Sequence, residues 1–442
     1  MGTTLKRVDQ ILHADWVIPV EPDVGALSDH CIAIDGDRIV DVIPSERASE
    51  TFAANDEFKL KEQALIPGLI NSHTHAAMTL FRGLADDLPL QSWLEKHIWP
   101  AEERCVDRNF VHDGTLLAAA EMLRSGTTCF NDMYFFPDEA AAASIEAGIR
   151  AVVGMIIISF PSAWAGNNDE YLRNGQRVHD RYRSHPLIHT AFAPHAPHTV
   201  DDEALRRVAV LAEELDVPIQ MHVHETEKEV TRQVADTGRR PLSRLADLGL
   251  MSHRLMAVHM TALNADEVRG VATAGVNVVH CPESNLKLAS GFCPLAKLLG
   301  AGINVALGTD GAASNNDLDM ISEMRTAALL AKGVAEDACA APARQVLRMA
   351  TFGGAKALGM EHELGSLSKG KLADIVAVDL GGLGAVPVYD PISQIVYAGH
   401  RDQVTNVWVG GRRVLADRRL ANIDAVALKR AADYWRDRIA EP

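Results

Sequence analysis

The stretch Ala64-Leu65-Ile66-Pro67-Gly68-Leu69-Ile70-Asn71-Ser72-His73-Thr74-His75 decides how this chain folds. Its apolar first part, 64–70, predicts a buried strand. Side chains alternate along a strand, so residues two apart share a face. His73 and His75 therefore project the same way, at the point where the strand ends. Two neutral imidazoles on one edge are half of a divalent-metal site. A pair of surface histidines near a turn is the plainer reading, and it stands unless the rest of the chain supplies the missing ligands.

Composition narrows the setting. The chain has 442 residues, 47% of them hydrophobic, and a formal charge of −16 from 43 basic and 59 acidic residues. A groove that tracks phosphates needs the opposite sign, so no nucleic-acid partner is expected. The six cysteines, Cys31, Cys105, Cys129, Cys281, Cys293 and Cys339, show no CxxC spacing, which points to free thiols in a reducing compartment. No apolar signal core opens the chain, and no apolar run reaches the ~20 residues that span a bilayer. A soluble, cytoplasmic protein that touches no membrane is expected, as a homo-oligomer because such assemblies are common.

Outward from the histidines, two textures divide the chain. Residues 1–66 and 364–442 read as short strands and turns, with a hairpin at Gly36-Asp37, a turn at Gly410-Gly411 and a final helix near 424–439. The two ends are expected to combine into one small β-sandwich domain. Across 67–363, strand-like runs alternate with helix-like ones. The strands lie near 64–70, 126–132, 150–158, 188–194, 218–224, 255–260, 276–280 and 303–308. This predicts an α/β chain, a (β/α)8 TIM barrel. A doubly wound sheet is the alternative, but no GxGxxG follows the first strand.

A barrel of this kind builds its site at the C-terminal strand ends. The first strand ends at His73 and His75, the fourth at His195, the fifth at His222-Val223-His224-Glu225. The sixth ends at His259, the seventh at His280-Cys281-Pro282-Glu283, and the eighth at Thr309-Asp310. Any one of these histidines alone would be structural; six such endings in register are not coincidence. His222 and His224 share a face, so alternation cannot choose between them. His222 is preferred because His224 sits where the strand gives way to loop. His73, His75, His222 and Asp310 then offer three nitrogens and one oxygen, a mixture that zinc or ferrous ion tolerates. Such an ion lowers the pKa of water from 15.7 to roughly 7. Glu225, three residues past His222, is close enough to shuttle a proton. Its plainer reading is a solvated carboxylate beside Glu227 and Glu229.

In that order of ligands the chain resembles the amidohydrolase superfamily over essentially its whole length. The fourth strand ends without the lysine that bridges two metals in binuclear members, and His222-Val223-His224-Glu225 matches the HxxE of the single-metal branch. Longer motifs are similar to the 5'-methylthioadenosine/S-adenosylhomocysteine deaminases. They are His73-Thr74-His75 through Asp86-Asp87, Trp93-Leu94-Glu95, Pro100-Ala101-Glu102-Glu103, Pro282-Glu283-Ser284-Asn285 and Gly308-Thr309-Asp310-Gly311-Ala312-Ala313-Ser314. The resemblance implies one Zn2+ per chain, with Fe2+ or Mn2+ as alternatives, held by His73, His75, His222 and Asp310. It implies Glu225, His259 and Asp310 as catalytic residues and a small nucleoside as substrate. Glu102 would bind the ribose hydroxyls, Trp93 would form an apolar wall, His195 would contact the nucleoside, and Ser314 would line the pocket. Without the resemblance, Trp93 is a buried helix aromatic and Glu102 a solvated carboxylate.

The chain departs from some members in having no arginine between Arg150 and Arg173, where the third strand and its loop would meet the substrate tail. A carboxylate tail would lose a bidentate partner. A methylthio tail would lose nothing, and could gain from Met155, Phe160 or Trp164. Methylthioadenosine is therefore expected ahead of S-adenosylhomocysteine. A guanine or pterin deaminase of the same architecture is a rival, as is a non-catalytic scaffold, although none of the six chemical residues is missing.

Overall fold

A computed structural model describes residues 5–440; residues 1–4 and 441–442, which the expected bounds of the small domain include, lie outside the described residues. Eight parallel strands form one sheet: β1 Leu69–Thr74, β2 Thr127–Asp132, β3 Arg150–Ile157, β4 Ile188–Pro194, β5 Ile219–Val223, β6 Leu255–His259, β7 Asn277–His280 and β8 Val305–Leu307. Each pairs with the next, and helices such as Arg108–Arg124 and Asp202–Leu215 fill the crossovers. This is the expected (β/α)8 barrel. Residues from strands around the ring, among them Cys129, Val152, Met256 and Ala306, pack into one buried apolar cluster.

The ring closes between β8 and β1 without a regular ladder. Asp310 N donates to His73 O at 3.0 Å, Thr309 N to Asn71 Oδ1 at 3.0 Å, and Asn71 Nδ2 to Thr309 Oγ1 at 2.7 Å. Gly308 permits this seam, because a Cβ there would stand 2.8 Å from His73 N.

The apolar run 64–70 proves to belong to two strands. Phe52–Pro67 is a long strand of the small domain, and β1 begins at Leu69. The break falls at Gly68, where a side chain would overlap Thr128 of β2. Continuous hydrophobicity hid the boundary, because both pieces are buried.

The small domain is a second eight-stranded sheet built from both chain ends. Phe52–Pro67 lies parallel to Lys6–Val17 and antiparallel to Ile375–Asp379. The sheet curls until its halves share a core of Leu12, Ile32, Ile34, Leu65, Ile375 and Trp408, and Trp408 Nε1 donates to Gln10 Oε1 at 3.1 Å. The final helix, Ala425–Ala440, packs on the barrel: Trp435 stacks edge-on against Phe110 at 5.2 Å, and its Nε1 donates to Asp113 Oδ2 at 2.8 Å. No helix among the described residues is long and apolar enough to cross a membrane.

A buried ion pair joins the two bodies. Arg150 of β3 meets Asp374 through Nε to Oδ2 at 3.2 Å and Nη2 to Oδ1 at 3.1 Å, with side chains 2% and 4% exposed. Arg150 Nη1 also donates to Pro186 O at 2.6 Å, and Asp374 accepts from Gly410 N at 2.7 Å. Removing one partner leaves a buried charge alone, at a cost of about 3–5 kcal/mol. Asp374→Ala is therefore expected to lower unfolding stability by about that amount, and Arg150→Met with Asp374→Leu to recover much of it. Urea unfolding measures both; a single-variant loss below about 1 kcal/mol would show that the pair does not hold the domains together.

Candidate active site

Three side-chain layers stack toward the C-terminal mouth of the barrel. Above the apolar cluster lies a belt of buried amides. Asn131 and Gln220 exchange hydrogen bonds at 3.0 Å in both directions, Gln220 Nε2 donates to Asp132 O at 2.6 Å, and Asn131 Nδ2 donates to Ser72 O at 2.9 Å. Above the belt come His73, His75, His222 and Asp310, whose ligand atoms all lie within 4.8 Å of one another.

Each imidazole is oriented by its outer nitrogen. His73 Nδ1 donates to Gln220 Oε1 at 3.2 Å, His75 Nδ1 to Met133 O at 2.6 Å, and His222 Nδ1 to His195 O at 2.9 Å. The tautomers follow from these partners, since each partner atom can only accept. Every Nε2 then carries a lone pair turned inward. His73 Nε2 and His222 Nε2 are 3.1 Å apart, with no proton between them to share. Two buried lone pairs face to face repel unless a cation lies among them, so the donor set fits a divalent metal. Asp310 supplies the oxygen: Oδ1 stands 3.1 Å from His75 Nε2 and 3.5 Å from His73 Nε2. Its Oδ2 is held by the hydroxyls of Ser284 at 2.7 Å and Ser314 at 2.8 Å. Burial lowers His73 to about 4 and keeps it neutral. Burial opposes charge on His75 too, yet the neighbouring Asp310 raises it to about 9, so a proton and a metal ion compete for that lone pair.

The rivalry between His222 and His224 is decided by the backbone. The strand ends at Val223, and His224 takes φ +54°, which breaks the alternation. Its Nδ1 donates to Ala262 O at 3.0 Å, away from the cluster. Glu225 follows it, half-buried, with Ser290 Oγ donating to Oε1 at 3.3 Å. Burial raises the Glu225 carboxyl above its usual range, partly offset by His259. His259 stacks on His222 at 5.5 Å between ring centroids, and its Nδ1 meets Asn285 Oδ1 at 2.9 Å. His195 lies edge-on to His222 at 4.9 Å, and burial lowers it to about 3.

The segment 82–105 rises from the end of β1 and carries Trp93 and Glu102. Trp93 is buried in the main apolar core. Glu102 is half-buried on the short helix Trp99–Cys105. Burial pushes its carboxyl up to about 7, against the pull of a 2.8 Å hydrogen bond from Tyr134 and the charge of His75.

Two expected contacts need correction. Met155 does not face the mouth. Gly154 faces the barrel interior, where a Cβ would sit 2.8 Å from Gln220 Nε2, so its neighbour Met155 points outward against Gly175 of the helix Asn168–Tyr182. Ser314 is buried behind Asp310, its hydroxyl taken by that carboxylate and by Gly311 O at 3.1 Å. Sequence reasoning missed Asn71 and Gln220, although each lies two residues before a ligand histidine and so on the same face. Asn131, Tyr134 and Ser284 left no such signal.

The amidohydrolase family profile matches residues 64–414. This chain therefore belongs to the amidohydrolase family. Within it, the chain is 47% identical to a 5-methylthioadenosine/S-adenosylhomocysteine deaminase of Teredinibacter turnerae, over 99% of both chains. It is 41% identical to a 5'-deoxyadenosine deaminase of Methanosarcina mazei, over 94% of this chain and 95% of the relative. A crystal structure of an adenosine deaminase from Xanthomonas campestris with bound zinc superposes at TM-score 0.97, with 52% identity and 99% of both chains covered.

Outer partners of metal histidines typically carry 10–100-fold in metal affinity. Gln220→Leu is expected to weaken divalent-metal binding by about that factor, with His73, His75, His222 and Asp310 unchanged. Competition with a chelator measures it; an unchanged affinity would show that the ring of His73 is set by packing alone.

Proposed function

We propose that this enzyme hydrolytically deaminates the adenine ring of 5'-substituted adenosine nucleosides, with 5'-methylthioadenosine preferred, giving the inosine analogue and ammonia. The observation that carries the reading is the inward convergence of three imidazole lone pairs and Asp310, flanked by Glu225 and His259. A divalent ion held by His73, His75, His222 and Asp310 would lower the pKa of a water toward roughly 7. Zinc is favoured, because the Xanthomonas structure holds it, while Fe2+ or Mn2+ suits the same donors.

The chain's own groups move the protons. Glu225 takes a proton from the attacking water and delivers it to N1 of the purine. Protonation at N1 makes C6 electrophilic. Asp310 accepts the second proton and passes it to the departing amine, while Ser284 and Ser314 orient its carboxylate. His259, steadied by Asn285, stabilises the oxygen added at C6. Glu102 accepts from the ribose hydroxyls, Trp93 backs the site as an apolar wall, and His195 contacts the nucleoside. Cysteines that all stand free suit a reducing, cytoplasmic setting, and we expect a homo-oligomer.

For the 5' substituent, Phe160 supports an apolar tail. It is 47% exposed and lines an open groove with Pro197, His198 and Thr199, and Thr199 Oγ1 lies 3.0 Å from His195 Nδ1. A second reading, S-adenosylhomocysteine, draws on Arg239 and Arg244 in the same groove. Both are already paired, Arg239 with Asp247 and Arg244 with Asp202, which weakens their pull on a carboxylate.

Glu225→Gln keeps the size and loses the proton acceptor. We expect kcat to fall at least ~10²-fold with metal content unchanged; near-normal turnover would remove Glu225 from the mechanism. Ultraviolet assays on adenosine, 5'-methylthioadenosine, S-adenosylhomocysteine and guanine rank the substrates. The highest kcat/KM is expected for 5'-methylthioadenosine. A preference for S-adenosylhomocysteine refutes the tail argument only, and a preference for guanine overturns the nucleoside assignment.

A further inference from the structure

Three consecutive residues, the last of β2 and the two that follow it, each hold a different part of the site. Asp132 Oδ1 accepts from Ala76 N at 2.7 Å, Met133 O accepts from His75 Nδ1 at 2.6 Å, and the Tyr134 hydroxyl donates to Glu102 Oε1 at 2.8 Å. Tyr134 is 5% exposed, so this hydroxyl has little water to turn to. Burial, with Glu102 beside it, keeps the phenol protonated and therefore a donor. A carboxylate offers two oxygens, and one of them is committed to this bond.

From this geometry we infer that Tyr134 is a positioning residue for nucleoside selectivity: it occupies Glu102 Oε1 and aims the free Oε2 at a ribose hydroxyl. The inference rests on the reading that Glu102 meets the sugar. It adds that selectivity is set by the pair. Glu102 sits on a short helix of the 82–105 excursion, whereas Tyr134 follows a barrel strand directly. A hydroxyl anchored beside a barrel strand fixes the carboxylate before substrate arrives, so the ordering cost falls outside the binding step. By the same segment, the sugar contact and the orientation of His75 share one piece of backbone.

Tyr134→Phe removes one oxygen and keeps the ring. With 5'-methylthioadenosine, kcat/KM is expected to fall about tenfold through KM, with kcat within about twofold, the scale of one hydrogen bond to a charged group. With the 2',3'-dideoxy analogue it is expected to stay within about twofold of the parent enzyme, because no hydroxyl is there to be aimed at. Tyr134→Phe combined with Glu102→Gln should lose no more than Glu102→Gln alone, since the tyrosine acts through the carboxylate. Equal losses on both substrates, or additive losses in the double variant, would reduce Tyr134 to a structural tether and overturn the inference. A parent enzyme that does not distinguish the ribonucleoside from its dideoxy analogue would instead bring down the sugar-binding role of Glu102, and the role of Tyr134 with it. Adenine-ring deamination itself would stand in either case.

Discussion

Everything at this site depends on three N–H bonds that point away from it. Gln220 Oε1, Met133 O and His195 O each take the outer proton of one imidazole, and so decide where the inner lone pair goes. Met133 and His195 lie just past β2 and β4, the strands next to those that carry His75 and His222, while Gln220 reaches His73 from β5 across the barrel. His195 O accepts both the backbone N–H of His222, at 3.0 Å, and its ring N–H. Ligand geometry is thus an extension of barrel register. A slip of one residue in β5 would exchange the faces of Gln220 and Met221 and remove both a ligand and the orienting group of another.

Strain is concentrated at the same rim. His224, His259 and Asp310 adopt φ of +54°, +76° and +61°, a region that costs side-chain-bearing residues about 1–3 kcal/mol each. Each departure has a visible restraint: Asp310 N bonds to His73 O, His259 Nδ1 to Asn285 and His224 Nδ1 to Ala262 O. The turns aim His259 and Asp310 into the mouth and carry His224 out of it.

Much of the site was legible because a period of two is a strong rule. It linked His73 with His75, and strand length favoured His222 over His224. The failures have the same origin. β3 is buried on both faces and apolar from Ala151 on, so the pattern does not say which way Met155 points. The only cue was Gly154, whose missing side chain marks the crowded inner face. The strand boundary at Gly68 was hidden because hydrophobicity ran across it. Tyr134 and Ser284 act on Glu102 and Asp310 from 32 and 26 residues away, through contacts that no local spacing encodes. Family motifs reached Ser314 but not its role, because a motif records that a residue is near the chemistry and not what its hydroxyl touches.

The seam between β1 and β8 also sets a timetable for biosynthesis. Asn71 and Thr309 are 238 residues apart, and their mutual hydrogen bonds close the ring. At about 5–20 residues per second, the ribosome needs roughly 12–48 s after making the first ligands to deliver the last. During that interval β1 has one unpaired edge, and no metal centre exists for an ion to enter. The small domain waits longer still, since Gln10 meets Trp408 only 398 residues later. The four metal-facing residues can therefore meet only after residue 310 has been made, and the two halves of the small domain only after residue 408.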